Sequence, residues 1–560
     1  MKPVREWSKA EHFVWEQTCA GKEADFNERE KKKLAPASSP CWGESRRISS
    51  EFLETILFEQ WFREDVTRKG VIITGAYFPD KLDLEDGHLP WPLNLDHSRL
   101  KNGLIMSGLQ ADRSVSLSGS CVMGKLDMNI ISIGSSLYMN DGTFEEISLR
   151  GAQIGGQLNM SSATVTGELD MDAVSIGRIL LMSKKPTEEP TEEANKGATF
   201  EEVHLRGARI GGQLGMDGAT VRGKLNINAA SIGTSLYMRD GATFKKEVNL
   251  GRAQIKSHLD MTGATVEGKL DMEASSIGGD LFMRDGNFAD VNLHFARVGL
   301  SLDFAGGTFQ TLGLTGATAE EGLRLIPNKE KPVKWSDLGD QSNRIQLNLQ
   351  NTKVGALVDT LGSWPDRIKL SGFTYNRLGG FGQENRNEPT ERPASDFIDW
   401  LSRDKSFSFQ PYQQLATVLR NIGKSGAADK VLFAAKDRER QNAPFWKRIG
   451  LRILQCGIGY GIGTYTFRVL YWALFFVCLG WFVLCWTEGS LSHKAGSQES
   501  IGFWFSLDYL LPIIQLNDAH YENEVLNFCA RVYFYFHQII GYILASLLVA
   551  ALSGTTKPGK

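Results

Sequence analysis

The chain of 560 residues has little cysteine, and its cysteines follow no metal-binding or disulfide pattern. The seven cysteines include no Cys-x-x-Cys pair and no grouping with histidine at the spacing of a zinc site. Several of them, from Cys456 to Cys529, fall in or near an apolar C-terminal region. The sequence therefore predicts no metal site, and this cysteine usage fits a reducing cytoplasm around the soluble part.

An excess of charge of one sign is also missing. The chain has 62 Lys and Arg against 65 Asp and Glu, a formal net charge of −3. No global positive field would attract nucleic acid, so we expect no nucleic-acid partner.

The segment from Met1 to Gln17 lacks the apolar core of a secretory signal, and we therefore expect the soluble part to stay in the cytoplasm.

The common catalytic fingerprints are absent as well. The sequence contains no serine-hydrolase elbow, zinc-protease motif, P-loop or kinase motif set, and its histidines are isolated. The glycine run Gly457–Gly463 looks like a dinucleotide fingerprint but leads straight into an apolar segment instead of a strand–turn–helix unit. We therefore predict no catalytic residue, no cofactor and no cofactor-binding residue, and we expect that the protein is not an enzyme.

What the sequence does contain is a ladder of near-identical segments. Gly151–Met182, Gly207–Met238 and Gly251–Met283 carry apolar residues and glycines at the same places. Apolar positions such as Ile154 and Val165 recur about every 11 residues, so two steps make a coil of roughly 20–22 residues. A Ser-Ile-Gly triplet in every second coil doubles this period, which indicates that two coils form one duplicated unit.

Glycine at every turn would cost a helix about 0.5–1 kcal/mol per residue relative to alanine, whereas a β-helix uses glycine at its corners. The motif Gly-Ala-x-(Ile/Val)-x-Gly-x-Leu-x-Met resembles that of bacterial pentapeptide-repeat proteins and related right-handed β-helices, although an 11-residue step replaces a multiple of five. We predict a mainly β fold: a right-handed β-helix solenoid with an N-terminal helical cap, a helical hairpin and a C-terminal pair of transmembrane helices.

Acidic residues such as Asp170, Asp260 and Asp271 alternate with inward positions and are expected on a solvated face.

Shifts in composition divide the chain into consecutive segments. The predicted segments are a helical cap at 1–69, a β-helix at 70–378 with a low-complexity acidic insertion at 183–197, a polar linker at 379–395, a helical hairpin at 396–441, a basic juxtamembrane segment at 442–466 and a membrane part at 467–560. The insertion has too little apolar surface to order itself, and the hairpin is expected to act as a spacer.

Two apolar segments near the C-terminus are long enough to cross a bilayer. Phe467–Trp486 has the roughly 20 residues that a transmembrane helix needs, and Val532–Leu552 forms the second candidate. Basic residues flank the outer ends, so the positive-inside rule predicts a multi-pass inner-membrane protein with both termini and the soluble part in the cytoplasm. Lys447, Arg448 and Arg452 lie among aromatic and aliphatic residues and are predicted to bind lipid headgroups.

Between these segments, Ile501–Leu516 is apolar but too short to cross, and it is interrupted by Asp508 and Pro512. The order of a helix, a short apolar segment and a second helix resembles the pore module of two-transmembrane ion channels, without the TVGYG filter motif of that module. The candidate pore-lining residues are Asp508, Gln515, Asn517 and Asp518. The alternative interpretation is a re-entrant or interfacial segment that packs at the membrane surface.

The order of the segments also resembles a bacterial family often labelled membrane-associated oxidoreductase. The resemblance rests on the β-helix motif and on Trp42–Leu57, Ser363–Leu378 and Pro411–Arg420. The family label implies redox chemistry, but no catalytic residue can be carried over from it.

Three functions therefore remain open. The first is a membrane-anchored cytoplasmic scaffold or regulator, in which the β-helix binds a protein partner. The second is a channel-like or pore-forming homo-oligomer gated by the β-helix, and small residues such as Gly541 and Ala545 would permit the close helix packing that an oligomer needs. The third is the oxidoreductase that the family label implies.

Overall fold

The computed structural model describes residues 7–184, 197–337, 344–379, 391–488, 502–511, 514, 516 and 528–555. The predicted acidic insertion and polar linker lie mostly outside these residues. The chain divides into two compact units. The first comprises Met1–Glu391 with Arg403–Lys405, and the second comprises Arg392–Ser402 with Ser406–Lys560.

Short helices open the first unit. They are α1 (Lys9–Cys19), α2 (Phe26–Arg29), α3 (Ser50–Phe58) and α4 (Gln60–Arg63), with 3-10 turns at Glu44–Arg46 and, later in the chain, at Leu361–Ser363. Helix α1 begins with a capping box, because the Glu11 amide donates to Ser8 Oγ (3.2 Å) and the Ser8 amide donates to Glu11 Oε2 (2.8 Å). Glu11 Oε1 also accepts the amide of Ser49, the residue that caps α3 (3.1 Å). One carboxylate thus joins the starts of both helices.

The central part is a parallel β-solenoid of about 13 turns, which confirms the predicted solenoid. Each coil contributes strands to two parallel sheets, named sheet A and sheet B here. Ile154 is paired with Ile176 in sheet A, and Val165 lies halfway between them in sheet B. The 11-residue step is therefore half a coil, and each coil crosses both sheets once. The right-handed winding stays a prediction.

Both sheets consist mostly of very short strands. Sheet A contains Ala24–Asp25, Val71–Thr74, His88–Leu89, Leu93–Asp96, Gln110–Ala111, Val115–Ser116, Ser132–Ile133, Leu137–Tyr138, Gln153–Ile154, Leu158–Asn159, Ser175–Ile176, Leu180–Leu181, Arg209–Ile210, Leu214–Gly215, Ser231–Ile232, Leu236–Tyr237, Gln254–Ile255, Leu259–Asp260, Ser276–Ile277, Leu281–Phe282, Arg297–Val298, Ser301–Asp303, Thr318–Leu325, Lys353–Asp359 and Thr374–Leu378. Sheet B contains Tyr77–Phe78, Leu82–Asp83, Arg99–Leu100, Leu104–Ile105, Cys121–Asp127, Thr143–Ser148, Thr164–Asp170, Thr199–His204, Thr220–Val221, Leu225–Asn226, Thr243–Phe244, Val248–Asn249, Thr265–Asp271, Asn287–Asn292, Thr308–Gly313, Lys334–Trp335, Leu347–Asn348 and Ile368–Lys369.

Inward side chains at the same position of successive coils stack on one another and form the core. One such column in sheet B consists of Phe144, Val165, Phe200, Val221, Phe244, Val266 and Phe288. All of them are buried, which for side chains of this size contributes about 1.5–3 kcal/mol each. A large ring alternates with a smaller β-branched side chain along this column, as close packing of an interior favours. This alternation also accounts for the doubled period of the sequence.

The Ile-Gly pairs of the repeat follow from how closely the coils approach. A Cβ atom on Gly211 would lie 2.2 Å from the carbonyl oxygen of Gly177 in the preceding coil, and one on Gly177 would lie 2.2 Å from that of Gly155. No side chain fits at either position unless the backbone moves apart. Glycine is thus required at this corner by contact between coils.

The second unit is helical where the structure describes it. Its helices are α5 (Ala394–Ser402), α6 (Gln410–Asn421), α7 (Ser425–Asn442), α8 (Phe445–Ile458), α9 (Arg468–Glu488), α10 (Phe503–Leu510) and α11 (Phe528–Thr555), with 3-10 turns at Gly459–Gly461 and Gly463–Phe467. Helices α6 and α7 form the predicted hairpin around a turn in which Gly423 has a positive φ of 81°. The ion pair between Arg420 and Asp429 (3.1 Å) joins the two helices.

Two helical segments are long and apolar enough to cross a membrane, Gly463–Thr487 and Phe528–Val549. Only 22% and 17% of their most apolar windows are buried inside the chain. The central helix of a soluble protein would be mostly buried, whereas these helices present apolar side chains such as Tyr471, Phe482 and Ile543 to the outside.

Candidate functional site

A cluster of buried polar side chains lies among the apolar helices of the second unit. Ser506 and Asp508 in α10 and His537 in α11 are all fully buried. His537 Nε2 lies 3.0 Å from the carbonyl oxygen of Ser506, and His537 Nδ1 lies 3.2 Å from the hydroxyl of Tyr533. Ser506 Oγ donates to the carbonyl oxygen of Val477 in α9 (2.8 Å). The cluster therefore links the two long apolar helices through the short helix α10.

Two glycines allow the helices to approach at this cluster. A Cβ atom on Gly480 would lie 2.2 Å from Ser506 Oγ, and one on Gly541 would lie 1.9 Å from the carbonyl oxygen of Leu510. The sequence predicts that Gly541, as a small residue, permits helix packing between copies. In the structure Gly541 packs against α10 of its own chain. Sequence reasoning missed Ser506 and Tyr533, because a serine and a tyrosine in apolar segments give no pattern of their own.

Of the candidate pore-lining residues, Asp508 is described, and Gln515, Asn517 and Asp518 lie outside the described residues. The Asp508 side chain is closed off from solvent within the single chain. Its Oδ1 atom accepts the backbone amide of Leu516 (2.8 Å). A buried carboxylate between apolar helices needs such donors, because an unpaired charge there would cost several kcal/mol. The pore-lining role stays a prediction.

The candidate lipid-binding residues lie on α8, a helix with no buried residue. Lys447 Nζ is 2.9 Å from Glu439 Oε1 in α7, and Arg448 donates to the carbonyl oxygen of Ala443 (3.2 Å). Arg452 donates to Gln455 Oε1 on its own helix (3.0 Å). All three cations thus have a partner within the chain, and α8 also carries exposed aromatic and aliphatic side chains such as Trp446 and Ile453.

The glycine run that resembles a dinucleotide fingerprint joins two helices. Gly459 ends α8 in the left-handed conformation, and the 3-10 turns lead directly into α9. Next to the run, the Tyr460 hydroxyl donates to Asp437 Oδ1 (2.8 Å). Burial, together with this hydrogen bond, raises the pKa of Tyr460 to about 12, so the phenol is neutral at physiological pH. The preceding strand that a dinucleotide site needs is a helix here.

In the first unit, the outward residues of sheet B form a second candidate site, named the charged face here. It covers six consecutive coils, whose sheet B strands lie between Thr143 and Asp271. The first three coils present acidic side chains, the acidic band: Glu145, Glu146, Glu168, Glu201 and Glu202. The next three coils present mainly basic side chains, the basic band: Arg222, Lys224, Lys245, Lys246 and Lys269, with Glu247 and Glu267 among them.

Both bands contain charges that have no ion-pair partner among the described residues. These are Glu145, Glu146 and Glu201 in the acidic band and Arg222 and Lys246 in the basic band. Glu145 accepts a hydrogen bond from the backbone amide of Gly124 (2.7 Å), and the other members have ionisable partners within the chain.

In the basic band, Lys245 pairs with Glu267, Lys269 with Asp271 (2.5 Å) and, at a longer 3.9 Å, Lys224 with Glu247. In the acidic band, Glu168 and Glu202 lie 3.5 and 3.4 Å from His204 Nε2. The charged face thus keeps uncompensated charge of both signs, separated along the solenoid.

A cleft of about 250 Å³ lies at the acidic end of this face, with Arg150 and Asp170 among its lining residues. Asp170, expected on a solvated face, is buried: it accepts the Asp172 amide (3.1 Å) and a hydrogen bond from Arg150 Nε. The expectation is wrong for Asp170 because the strand turns there and its carboxylate closes the turn. Among the described residues, no group of three or more His, Cys, Asp and Glu side chains could hold a metal ion.

No family model, no curated protein and no solved structure matches the chain. The resemblances to pentapeptide-repeat proteins and to the oxidoreductase family therefore stay predictions.

Proposed function

We propose that this protein is a membrane-anchored scaffold whose solenoid presents the charged face to a protein partner. The observation that carries the proposal is the charged face itself, in which unpaired charges such as Glu201 and Arg222 stand at fixed positions on a close-packed solenoid. Coils repeat about every 4.8 Å, so the spacing of these charges is set by the backbone. Arrays of fixed charge select partners of complementary charge.

The anchor in this proposal is the second unit. Its two long apolar helices are mostly uncovered by the rest of the chain. Helix α8 adds Phe445 and Trp446, which are 67% and 81% exposed, on the same short helix as Arg452. Exposed aromatic side chains beside cations suit the headgroup region of a bilayer with anionic lipids. We place the protein in the inner membrane with both termini in the cytoplasm.

Extraction of membranes tests the anchor. The full-length chain is expected to stay in the membrane pellet after an alkaline carbonate wash. Replacement of Leu474 and Phe475, two exposed residues of α9, by arginine is expected to release it, because each arginine costs about 2.5–3.5 kcal/mol at the centre of a span. The matched control places arginine at Gln413, on the exposed side of α6. Release of the unchanged chain by carbonate would contradict the anchor.

Site-specific photocrosslinking tests the scaffold role. A photoreactive amino acid at Glu201 or Arg222 is expected to give a crosslinked protein adduct in cells. The same amino acid at Arg209 or Lys256, which are exposed on the sheet A side, serves as the control. Equal or absent crosslinking at all of these positions would contradict a docking role for the charged face.

A channel-like oligomer is the second candidate function. The observation in its favour is the fully buried polar set of Ser506, Asp508 and His537, since polar groups inside membrane segments commonly mark ion or proton pathways. Planar-bilayer recordings of the full-length chain, with Asp508→Asn and Gln515→Ala variants, test it. Discrete conductance altered by these changes would support a channel, and a silent bilayer would remove this alternative.

A further inference from the structure

We propose that the charged face docks onto the same face of a second copy of this chain. The acidic band of each copy would then lie against the basic band of the other. This inference rests on the proposed function of the charged face as a docking surface, and it names the occupant.

The order of the charges along the solenoid permits a two-fold arrangement. Three acidic coils are followed directly by three basic coils, and the boundary lies between the strands Thr199–His204 and Thr220–Val221. A two-fold axis in the plane of the interface, parallel to the strands at this boundary, reverses the direction of the solenoid. It therefore places each acidic coil opposite a basic coil of the second copy. An interface of this kind is self-complementary, because every contact occurs twice.

The register of the strands decides which side chains meet. Rotation about an axis along the strands keeps each residue at the same position along its strand, so positions that are aligned within the sheet face each other across the interface. Glu202 is aligned with Lys224 in adjacent coils, and Glu201 precedes it as Arg222 and Gly223 precede Lys224. The facing pairs of opposite charge are Glu201 with Arg222, Glu202 with Lys224 and Glu146 with Lys269.

The same register also brings two pairs of like charges opposite each other, Glu145 with Glu267 and Glu168 with Glu247. All four already interact within their own chain. Glu145 Oε2 accepts the amide of Gly124 (2.7 Å), and Glu267 pairs with Lys245. Glu168 lies 3.5 Å from His204 Nε2, and Glu247 lies 3.9 Å from Lys224 Nζ. By contrast, Glu201 and Arg222 have no ion-pair partner among the described residues, and they lie at the centre of the arrangement. Glu201 and Arg222, which are left over in one chain, are therefore charges that the second copy neutralises.

The size of the face is sufficient for a reversible dimer. Six coils at about 4.8 Å and strands of seven residues such as Thr164–Asp170 at about 3.3 Å per residue give a face of roughly 25 by 23 Å. Both copies together would bury about 1,200 Å², the lower end of the range for specific interfaces. A face of this size with mostly charged contacts predicts an association that weakens with salt.

A second copy fits this face better than a partner with one dominant charge. A purely basic or purely acidic partner would be repelled by one of the two bands. A suitable partner needs both signs of charge, in reverse order and at the spacing of the coils. A second copy of this chain has that pattern by symmetry.

Light scattering of the full-length chain in detergent tests the inference, with two charge-reversal variants. One carries Glu201→Lys and Glu202→Lys, and the other carries Arg222→Glu and Lys224→Glu. The unchanged chain is expected to form dimers at low salt. Each variant alone is expected to raise the dissociation constant at least about tenfold, because like charges then meet at both symmetric halves of the interface.

Mixing the two variants separates this arrangement from any other. In the mixed pair, lysines of one copy meet glutamates of the other at one half of the interface, and the unchanged bands meet at the other half. We therefore expect the mixture to recover the dimer, and a chain with all four changes to dimerise by itself. The control Arg209→Glu with Lys256→Glu alters the same number of exposed cations on the sheet A side and should leave the dimer intact. Circular dichroism checks that every variant keeps its strands.

A chain that stays monomeric at low salt, a dimer insensitive to the reversals, or a mixture without recovery would overturn the inference. These outcomes are distinguishable from failure of the proposed function. A monomer that resists carbonate extraction and crosslinks a different protein from Glu201 or Arg222 leaves the scaffold standing and removes only the second copy. If the chain is monomeric and gives no crosslinks at the charged face, both the scaffold role and the dimer are contradicted.

Discussion

His537 in α11 and Ser506 in α10 are joined by a hydrogen bond of 3.0 Å between the histidine Nε2 and the serine carbonyl oxygen. A carbonyl oxygen only accepts, so Nε2 carries a proton, while Nδ1 lies 3.2 Å from the Tyr533 hydroxyl, which can donate or accept. Both ring nitrogens thus have a hydrogen-bond partner. This single side chain fixes the position of a short helix between two long apolar ones.

Replacement of His537 by leucine leaves the Ser506 carbonyl and the Tyr533 hydroxyl without this partner. We expect the free energy of unfolding to fall by about 1–3 kcal/mol, the cost of a buried polar group that loses its hydrogen bond. Thermal melting in detergent measures it. The control Ile539→Ala removes an apolar side chain from the same helix at a position that is 55% exposed, and should melt close to the unchanged chain. Equal melting of both variants would contradict the linking role of His537.

Gly480 gives a second test of the same cluster. Gly480→Ala places a methyl group at 2.2 Å from Ser506 Oγ, so α9 and α10 must move apart and the melting temperature should fall. The matched control is Gly450→Ala in α8, where a Cβ atom would have open space. Alanine there is expected to stabilise the helix by up to about 1 kcal/mol. A Gly480→Ala variant as stable as the control would refute the close approach.

The sequence predicts the solenoid well because its core repeats. The 22-residue spacing of Ile154 and Ile176 is visible without any structure, and the register of sheet A has the same spacing. The contacts of Ser506 with His537 could not be predicted, since they join residues 31 apart through one backbone atom. The burial of the Asp170 side chain depends on a turn that the alternation of inward and outward residues does not predict.

The charged bands could be predicted from the sequence only in part. After the same Thr-Phe pair, one repeat continues with Glu145 and Glu146, and another continues with Lys245 and Lys246. This reversal of charge is a signal in the sequence. Its meaning depends on the strand register, which places Glu201 and Arg222 in adjacent coils on the same outward surface.

The contact between α7 and α8 should depend on pH. Hydrogen bonds from Lys447 and Lys436 hold the pKa of Glu439 below its ordinary value of 4.5. Because the folded-state pKa is lowered, the stabilisation is fully present above pH 4.5 and is lost as the pH falls through the folded-state value. Both partners are partly exposed, so we expect about 0.2–1 kcal/mol.

Unfolding of the unchanged chain and of Glu439→Gln, measured from neutral pH down to about pH 3, tests this dependence. The two stability curves should differ at neutral pH and converge in acid. The control Glu16→Gln changes an exposed glutamate of α1 and should run parallel to the unchanged chain. A constant offset between Glu439→Gln and the unchanged chain at every pH would contradict the role of the carboxylate.

Adjacent residues of one strand give the sharpest test of the solenoid interior. Ile210 points inward, is 2% exposed and is aligned with Ile176 and Ile232 of the neighbouring coils, whereas Arg209 points outward. Ile210→Asp buries an unpaired carboxylate and should cost about 4 kcal/mol or more, while Arg209→Asp should stay within about 0.5 kcal/mol of the unchanged chain.

Circular dichroism melting compares these two variants, and limited proteolysis locates the damage. Coils contact only their neighbours, so cleavage in Ile210→Asp is expected first in the coils next to Ile210. Arg209→Asp should keep the cleavage pattern of the unchanged chain. If both variants melted alike, the inward assignment of Ile210 would be wrong, and with it the outward register that defines the charged face.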